Sequence, residues 1–283
     1  MRVVKTVKQL RLIIDGLRRK GRTIGFIPTM GYLHEGHLSL VRRCRQECDV
    51  TVVSIYVNPK QFGPHEDLQR YPRDIGRDST MLKKENIDIL FIPSDNAVYS
   101  SGYLTYIDVE NVSRALCGAF RPGHFRGVAT VVAKLLNMVQ PHALYLGQKD
   151  AQQVAVLKRM AADLNFPVAV RTVPTMREAD GLAMSSRNVY LSAAHRAQAP
   201  VIYKSLVAVR RCIRQGERRS ATLVAMIKRN IESNSEGKIQ YVACVDAESL
   251  EPLKTLRHRV LIAVAVFFGT TRLIDNVIVL IKN

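Results

Sequence analysis

The 283-residue sequence predicts an α/β fold: a Rossmann-like parallel sheet in an N-terminal domain, then a smaller α+β domain of helices and a three-stranded antiparallel sheet. Three observations carry this. Apolar runs rich in β-branched residues alternate with amphipathic helical patterns up to about residue 176, the rhythm of a parallel sheet with helices on both faces. Beyond that point helices come first and β-rich runs follow. The last two of those runs are separated only by Gly269-Thr270-Thr271, a turn too short for a crossover, so they pair antiparallel.

In chain order, residues 7–20 read as an amphipathic helix. Strands are expected at 24–27, 50–57, 87–92, 143–146 and 168–173, with helices at 38–47, 75–85, 128–139 and 151–164 between them. A loop at 177–188 leads to helices at 193–215 and 221–232, then strands at 239–246, 260–268 and 273–281. No repeat or low-complexity linker divides 1–176 from 177–283, so the two domains should pack closely.

Hydrophobic residues make up 47% of the chain, enough for a packed core. No apolar stretch reaches the ~18 residues of a membrane span. The best candidate, 260–268, ends at Gly269 and reads as a core strand. The start, Met1-Arg2-Val3-Val4-Lys5, lacks the apolar region of a signal peptide, so a cytoplasmic protein is expected. Five cysteines without framework spacing suit a reducing compartment. Lys and Arg number 42 against 24 Asp and Glu, a net charge of +18 spread in short runs such as Arg18-Arg19-Lys20 and Arg210-Arg211. These read as solvated faces that gather anionic substrates. No aromatics interleave with them, so nucleic acid is not an expected partner.

The chemistry concentrates at strand ends. Pro28-Thr29-Met30-Gly31-Tyr32-Leu33-His34-Glu35-Gly36-His37 joins the first strand of the alternating series to a helix. Such a junction points free N–H groups at anions, its glycines admit close backbone approach, and its imidazoles donate hydrogen bonds to phosphate oxygens. His34-Glu35-Gly36-His37 resembles the HIGH motif of adenylyl-transferring enzymes. Asn58-Pro59-Lys60-Gln61-Phe62 follows the next strand and puts Gln61, with one acceptor and two donors, on the same sheet edge. Arg121-Pro122-Gly123-His124-Phe125-Arg126-Gly127 enters a helix whose Val128, Val131 and Val132 suit an apolar wall. Gly147-Gln148-Lys149-Asp150 is a second strand–helix turn, presenting an ammonium to phosphate. Met184-Ser185-Ser186-Arg187-Asn188 offers two hydroxyls and a planar donor fork as a phosphate clamp on a loop.

Taken together and in this order, with Asp180-Gly181-Leu182-Ala183 before the clamp and Arg272-Leu273-Ile274-Asp275-Asn276 near the end, these motifs resemble the pantoate–β-alanine ligase family from end to end. The resemblance implies ATP-dependent condensation of pantoate with β-alanine through a pantoyl adenylate, with release of AMP and pyrophosphate. It implies a 1–176 domain binding nucleotide and pantoate and a 177–283 lid. Met30, Gly31, Tyr32, Leu33, His34, Glu35, Gly36 and His37, Gly147, Gln148, Lys149 and Asp150, Met176, and Met184, Ser185, Ser186 and Arg187 would surround ATP. Within that set His34 and His37 would meet phosphate oxygens, His37 as proton donor. Lys149 would meet the α-phosphate; Ser185, Ser186 and Arg187 would hold the outer phosphates. Gln61 and Gln153 would orient pantoate, Gln61 also touching β-alanine, against a wall of Pro28, Met30, Val131 and Val132. Mg²⁺ would bridge the phosphates, with Asp150 or Asp78 as candidate ligands, and the protein would be a homodimer. The rivals are another nucleotidyltransferase of the same superfamily and, on the charge alone, an RNA-binding scaffold.

Overall fold

A computed structural model describes residues 1–64 and 66–281. The main sheet contains β1 (Arg2–Val4), β2 (Ile24–Thr29), β3 (Val50–Ile55), β4 (Ile89–Phe91), β5 (Ala143–Gly147) and β6 (Ala169–Val173). All pair in parallel, in the order β1-β4-β3-β2-β5-β6. The helices between them are α1 (Val7–Arg19), α2 (Glu35–Glu47), α3 (Ile75–Lys84), the short α4 (Asp95–Val98) and α5 (Leu116–Phe120), α6 (His124–Val139) and α7 (Ala151–Asp163).

The period of two along each strand divides the apolar side chains between two faces. Phe26, Val50, Val52, Leu144 and Leu146 pack with Leu10 and Ile14 of α1 and with α6 and α7. Ile27, Val53, Ile55, Ala143 and Tyr145 pack on the opposite face with Leu38, Val41 and Cys44 of α2 and Leu82 of α3. Both faces are covered, which is why these strands read as continuous apolar runs.

The second unit contains α8 (Ala193–Gln198), α9 (Val201–Arg214) and α10 (Ser220–Asn234), with an antiparallel sheet β7 (Lys238–Asp246), β8 (Arg259–Phe268), β9 (Thr271–Leu280) in that order. Gly269, at φ +57°, turns β8 into β9 over two residues. Along β8, Val260, Ile262, Val264 and Val266 face α9 and α10, whereas Leu261 and Ala263 join the core of the first sheet. The most apolar run of the chain is thus a strand buried on both sides.

Besides the short α4 and α5, which no expected element covers, three elements depart from expectation. β1 is an edge strand beside β4, set by Val4 packing into the core; three residues are too few to show a period. The helix expected over 193–215 is two, because Pro200 has no N–H to continue the ladder of α8 and suits the start of α9. α6 begins at His124, earlier than the apolar pattern, after Gly123 at φ +79°.

Candidate active site

Strands β3, β4 and β1 lie to one side of β2, and β5 and β6 to the other. The order therefore reverses between β2 and β5, and the crevice at their carboxyl ends is where open α/β sheets bind ligands. A cleft of about 200 Å³ lies there, lined from β2, β5, α2, α6 and the segments at 174–176 and 184–187.

The turn after β2 is held from below. Tyr32, at φ +50°, and Leu33 donate their backbone N–H groups to the two carboxylate oxygens of Asp78, at 2.7 and 2.8 Å. His34 then caps α2. Its Nδ1 accepts from the Gly36 N–H at 3.1 Å, and His37 Nδ1 accepts from the His34 N–H at 3.3 Å. With both Nδ1 atoms accepting, each neutral ring carries its proton on Nε2. Burial and the neighbouring His37, Lys149 and Arg77 charges lower the His34 pKa to about 2, and burial and Lys149 lower that of His37 to about 4. The free protein thus presents two uncharged Nε2–H donors. In the free protein His37 therefore carries a single proton, on Nε2. A Cβ on Gly36 would sit 2.8 Å from the His34 ring, so this turn requires glycine.

Gln61 sits on a 3₁₀ turn, Pro59–Gln61, after β3. Asn58 Nδ2 donates to Gln61 Oε1 at 3.2 Å and to the Gly127 carbonyl at 3.1 Å, and Gln61 Nε2 donates to Met30 Sδ at 3.0 Å. The amide is therefore fixed at the cleft wall formed by Pro28, Met30, Val128, Val131 and Val132. A Cβ on Gly127 would lie 2.2 Å from the Lys60 carbonyl oxygen, so α6 passes the Gln61 turn at a distance only glycine permits.

After β5, Gly147 leads into a 3₁₀ turn, Gln148–Asp150, and α7. Asn276 of β9 donates to the Gln148 and Lys149 carbonyls at 3.0 and 2.8 Å, hooking this turn to the second unit. Lys149 lines the cleft, and among the described residues no carboxylate lies within 4.0 Å of its ammonium. On the opposite wall Ser185 Oγ accepts from the Arg187 N–H at 3.2 Å, and Ser186 Oγ donates to the Tyr32 carbonyl at 3.0 Å. The Arg187 guanidinium bonds Asp67 through Nε and Nη2, each at 2.8 Å.

Of the expected residues, Pro28, Met30, His34, Gly36, His37, Gln61, Val131, Val132, Gly147, Lys149, Asp150, Gln153, Met176, Met184, Ser185, Ser186 and Arg187 line this cleft. Gly31, Tyr32, Leu33, Glu35 and Gln148 do not. Gly31, at φ +83°, shapes the turn; Leu33 is buried; Glu35 pairs with Arg42 at the surface; Gln148 Nε2 donates to Asn276 at 2.9 Å. Asp78 does not line this cleft either; it is fully buried and accepts one backbone N–H on each carboxylate oxygen. Tyr71 and Tyr56 line the cleft without having been singled out: Tyr71 stands in a stretch with no motif or period, and Tyr56 was legible only as a residue of the expected strand at 50–57.

The pantoate–β-alanine ligase family model matches residues 2–278. The chain belongs to this family. Among similar proteins, the pantothenate synthetase of Acetivibrio thermocellus is 52% identical over 279 residues, covering 99% of each chain. That of Moorella thermoacetica is 49% identical over 283 residues, the full length of both. A crystal structure of the Thermus thermophilus pantothenate synthetase matches with TM-score 0.93 at 47% identity, over 98% of this chain and 99% of that one. The Francisella tularensis pantoate–β-alanine ligase, solved as a complex with β-γ ATP and β-alanine, matches with TM-score 0.80 at 35% identity, over 98% and 97%.

Proposed function

We infer that this chain joins pantoate to β-alanine at the expense of ATP. The observation that carries the reading is convergence: two neutral Nε2–H donors, an ammonium without a carboxylate partner among the described residues and a guanidinium surround one crevice with a carboxamide and an apolar wall beside it. Donors of this number and sign suit a triphosphate; a neighbouring apolar wall suits a branched hydroxy acid.

In the first step a pantoate carboxylate oxygen attacks the α-phosphorus, the bond to the bridging oxygen breaks, and pyrophosphate leaves. Gln61 and Gln153 orient the acid. His34, His37 and Lys149 stabilise the charge that grows on the α-phosphate oxygens, and Ser185 and Arg187 hold the departing pyrophosphate. In the second step the β-alanine amine attacks the acyl carbon, and the bond to AMP breaks. The cleft supplies proximity to an already activated acyl group, so no cysteine or serine nucleophile is required. Asp150 is the cleft's own carboxylate, and no group of three or more potential metal ligands occurs among the described residues. Asp150 would help hold a Mg²⁺ brought in with the triphosphate, and the ion would supply charge neutralisation.

The same reading includes a 1–176 substrate-binding part with 177–283 as its lid, a cytoplasmic setting and a homodimer. No described helix is long and apolar enough to cross a membrane.

The test is purified protein with ATP, Mg²⁺ and both substrates, following AMP, together with pantoate-dependent ATP–pyrophosphate exchange without β-alanine. Both activities are expected. Lys149→Ala should lower exchange by about 10²-fold, while Cys44→Ala leaves it within about twofold. Exchange that does not depend on pantoate would reject the reading.

A further inference from the structure

Adjacent acids, Glu66 and Asp67, each grip an arginine: Asp67 holds Arg187, which lines the cleft, and Glu66 holds Arg121, which meets the Gln61 turn through His124, yet neither acid lines the cleft itself. We propose that Glu66-Asp67 is a positioning element that aims Arg187 at the triphosphate through Asp67, and fixes the pantoate-orienting Gln61 through Glu66, Arg121 and His124. The assignment rests on the ligase reading above.

The geometry of each guanidinium carries the argument. Asp67 takes Nε and Nη2 of Arg187, both at 2.8 Å, which is one edge of the planar fork. Both Nη1 hydrogens and the second Nη2 hydrogen have no acceptor among the described residues, and they form the other bidentate edge. The guanidinium also lies over the Tyr71 ring, 5.6 Å from its centroid. Held along one edge and over one face, the fork has little freedom left, and Arg187 lines the cleft with Ser185, across from Lys149.

Glu66 repeats the arrangement. Arg121 Nε donates to Glu66 Oε1 at 2.7 Å, and its Nη2 bonds Oε2. The remaining Nη1 donates to His124 Nε2 at 3.0 Å, and His124 Nδ1–H donates to the Gln61 carbonyl at 2.8 Å. His124 can play both parts only as the neutral Nδ1–H tautomer. Burial and Arg121 favour that form by lowering its pKa to about 4. The two arginine side chains are only 15% and 28% exposed, so they are desolvated enough to need a carboxylate. One dipeptide therefore sets the outer-phosphate end and the acid-substrate end of a single cleft. The other role open to Asp67 is that of a competing anion which the triphosphate must displace. Its use of the Nε edge, leaving the terminal edge free, favours positioning.

The two roles give opposite kinetics in pantoate-dependent exchange with the full-length protein. Positioning predicts that Asp67→Ala raises the KM for ATP about tenfold with the pantoate KM within about twofold. Glu66→Ala should do the reverse. Asp67→Asn keeps the shape and one acceptor, and should raise the ATP KM to an intermediate degree if the alanine variant fails to fold. An ATP KM unchanged or lowered by Asp67→Ala, or both constants rising together in either variant, overturns the proposal. Wild-type protein without exchange would sink the ligase reading instead. ATP affinity measured by calorimetry then still reads the Asp67 arm, and equal affinity in wild type and Asp67→Ala would overturn it.

Discussion

At the scale of single residues, the site is built from side chains whose charge state is set by their neighbours. His34, His37 and His124 each have one ring nitrogen engaged by backbone and a pKa held far below 6.5 by burial and nearby cations. The sign of the linkage follows. Below pH 6.5 the unfolded chain binds protons at these histidines that the folded chain refuses, until about pH 4 for His37 and His124 and about pH 2 for His34. Their contribution to stability is therefore complete above pH 6.5 and is lost as the pH falls through that window. Melting temperature should be flat from about pH 7 to 8 and decline from about pH 6.5 to 4.5. A flat profile down to about pH 4.5 would contradict the assigned protonation states.

At the scale of elements, three backbone turns are shaped from outside themselves. The His34 turn rests on Asp78 of α3, which accepts two backbone N–H groups in a fully buried position. Asp78→Ala would leave both donors unpaired and should cost about 3 kcal/mol in urea unfolding. The Gln61 turn rests on Gly127 of α6, where a methyl group would meet backbone at 2.2 Å. Gly127→Ala should therefore displace the turn, lowering stability by about 1–3 kcal/mol and raising the pantoate KM more than that of ATP. Equal effects on the two Michaelis constants would show that the contact does not position Gln61. The Lys149 turn rests on Asn276 of β9 through its two carbonyls. Asn276→Ala should lower exchange by about tenfold without touching a substrate.

At the scale of the whole molecule, the two units share structure. Leu261 and Ala263 of β8 belong to the core of the parallel sheet, and Arg177 forms a bidentate pair with buried Asp275 of β9 at 2.6 and 3.0 Å. Unfolding the smaller sheet alone would expose that apolar face and leave Arg177 unpaired. Calorimetry should show one cooperative transition; two resolved transitions would mean that the units are independent. The basic surface belongs to this scale as well. Most arginines and lysines of the excess lie outside the cleft, and those within the site are individually partnered or aimed.

The sequence by itself determined the alternation of the parallel sheet, the closing hairpin and the strand-end motifs, because these are local: period two, period 3.6 and turn chemistry are written in consecutive residues. It pointed equally to most residues of the cleft, since each motif ends a strand and strand ends of one sheet share an edge. Only the tertiary structure decided the rest. The order β1-β4-β3-β2-β5-β6 creates the switch point. Buried Asp78 proved to be a backbone acceptor, because its partners lie 45 and 46 positions away in the chain. His37 became a neutral donor because burial and Lys149 act on it across the fold. Tyr71 joined the cleft, and Glu66 and Asp67 met Arg121 and Arg187, across more than 50 positions of chain, and such contacts leave no period or spacing to read.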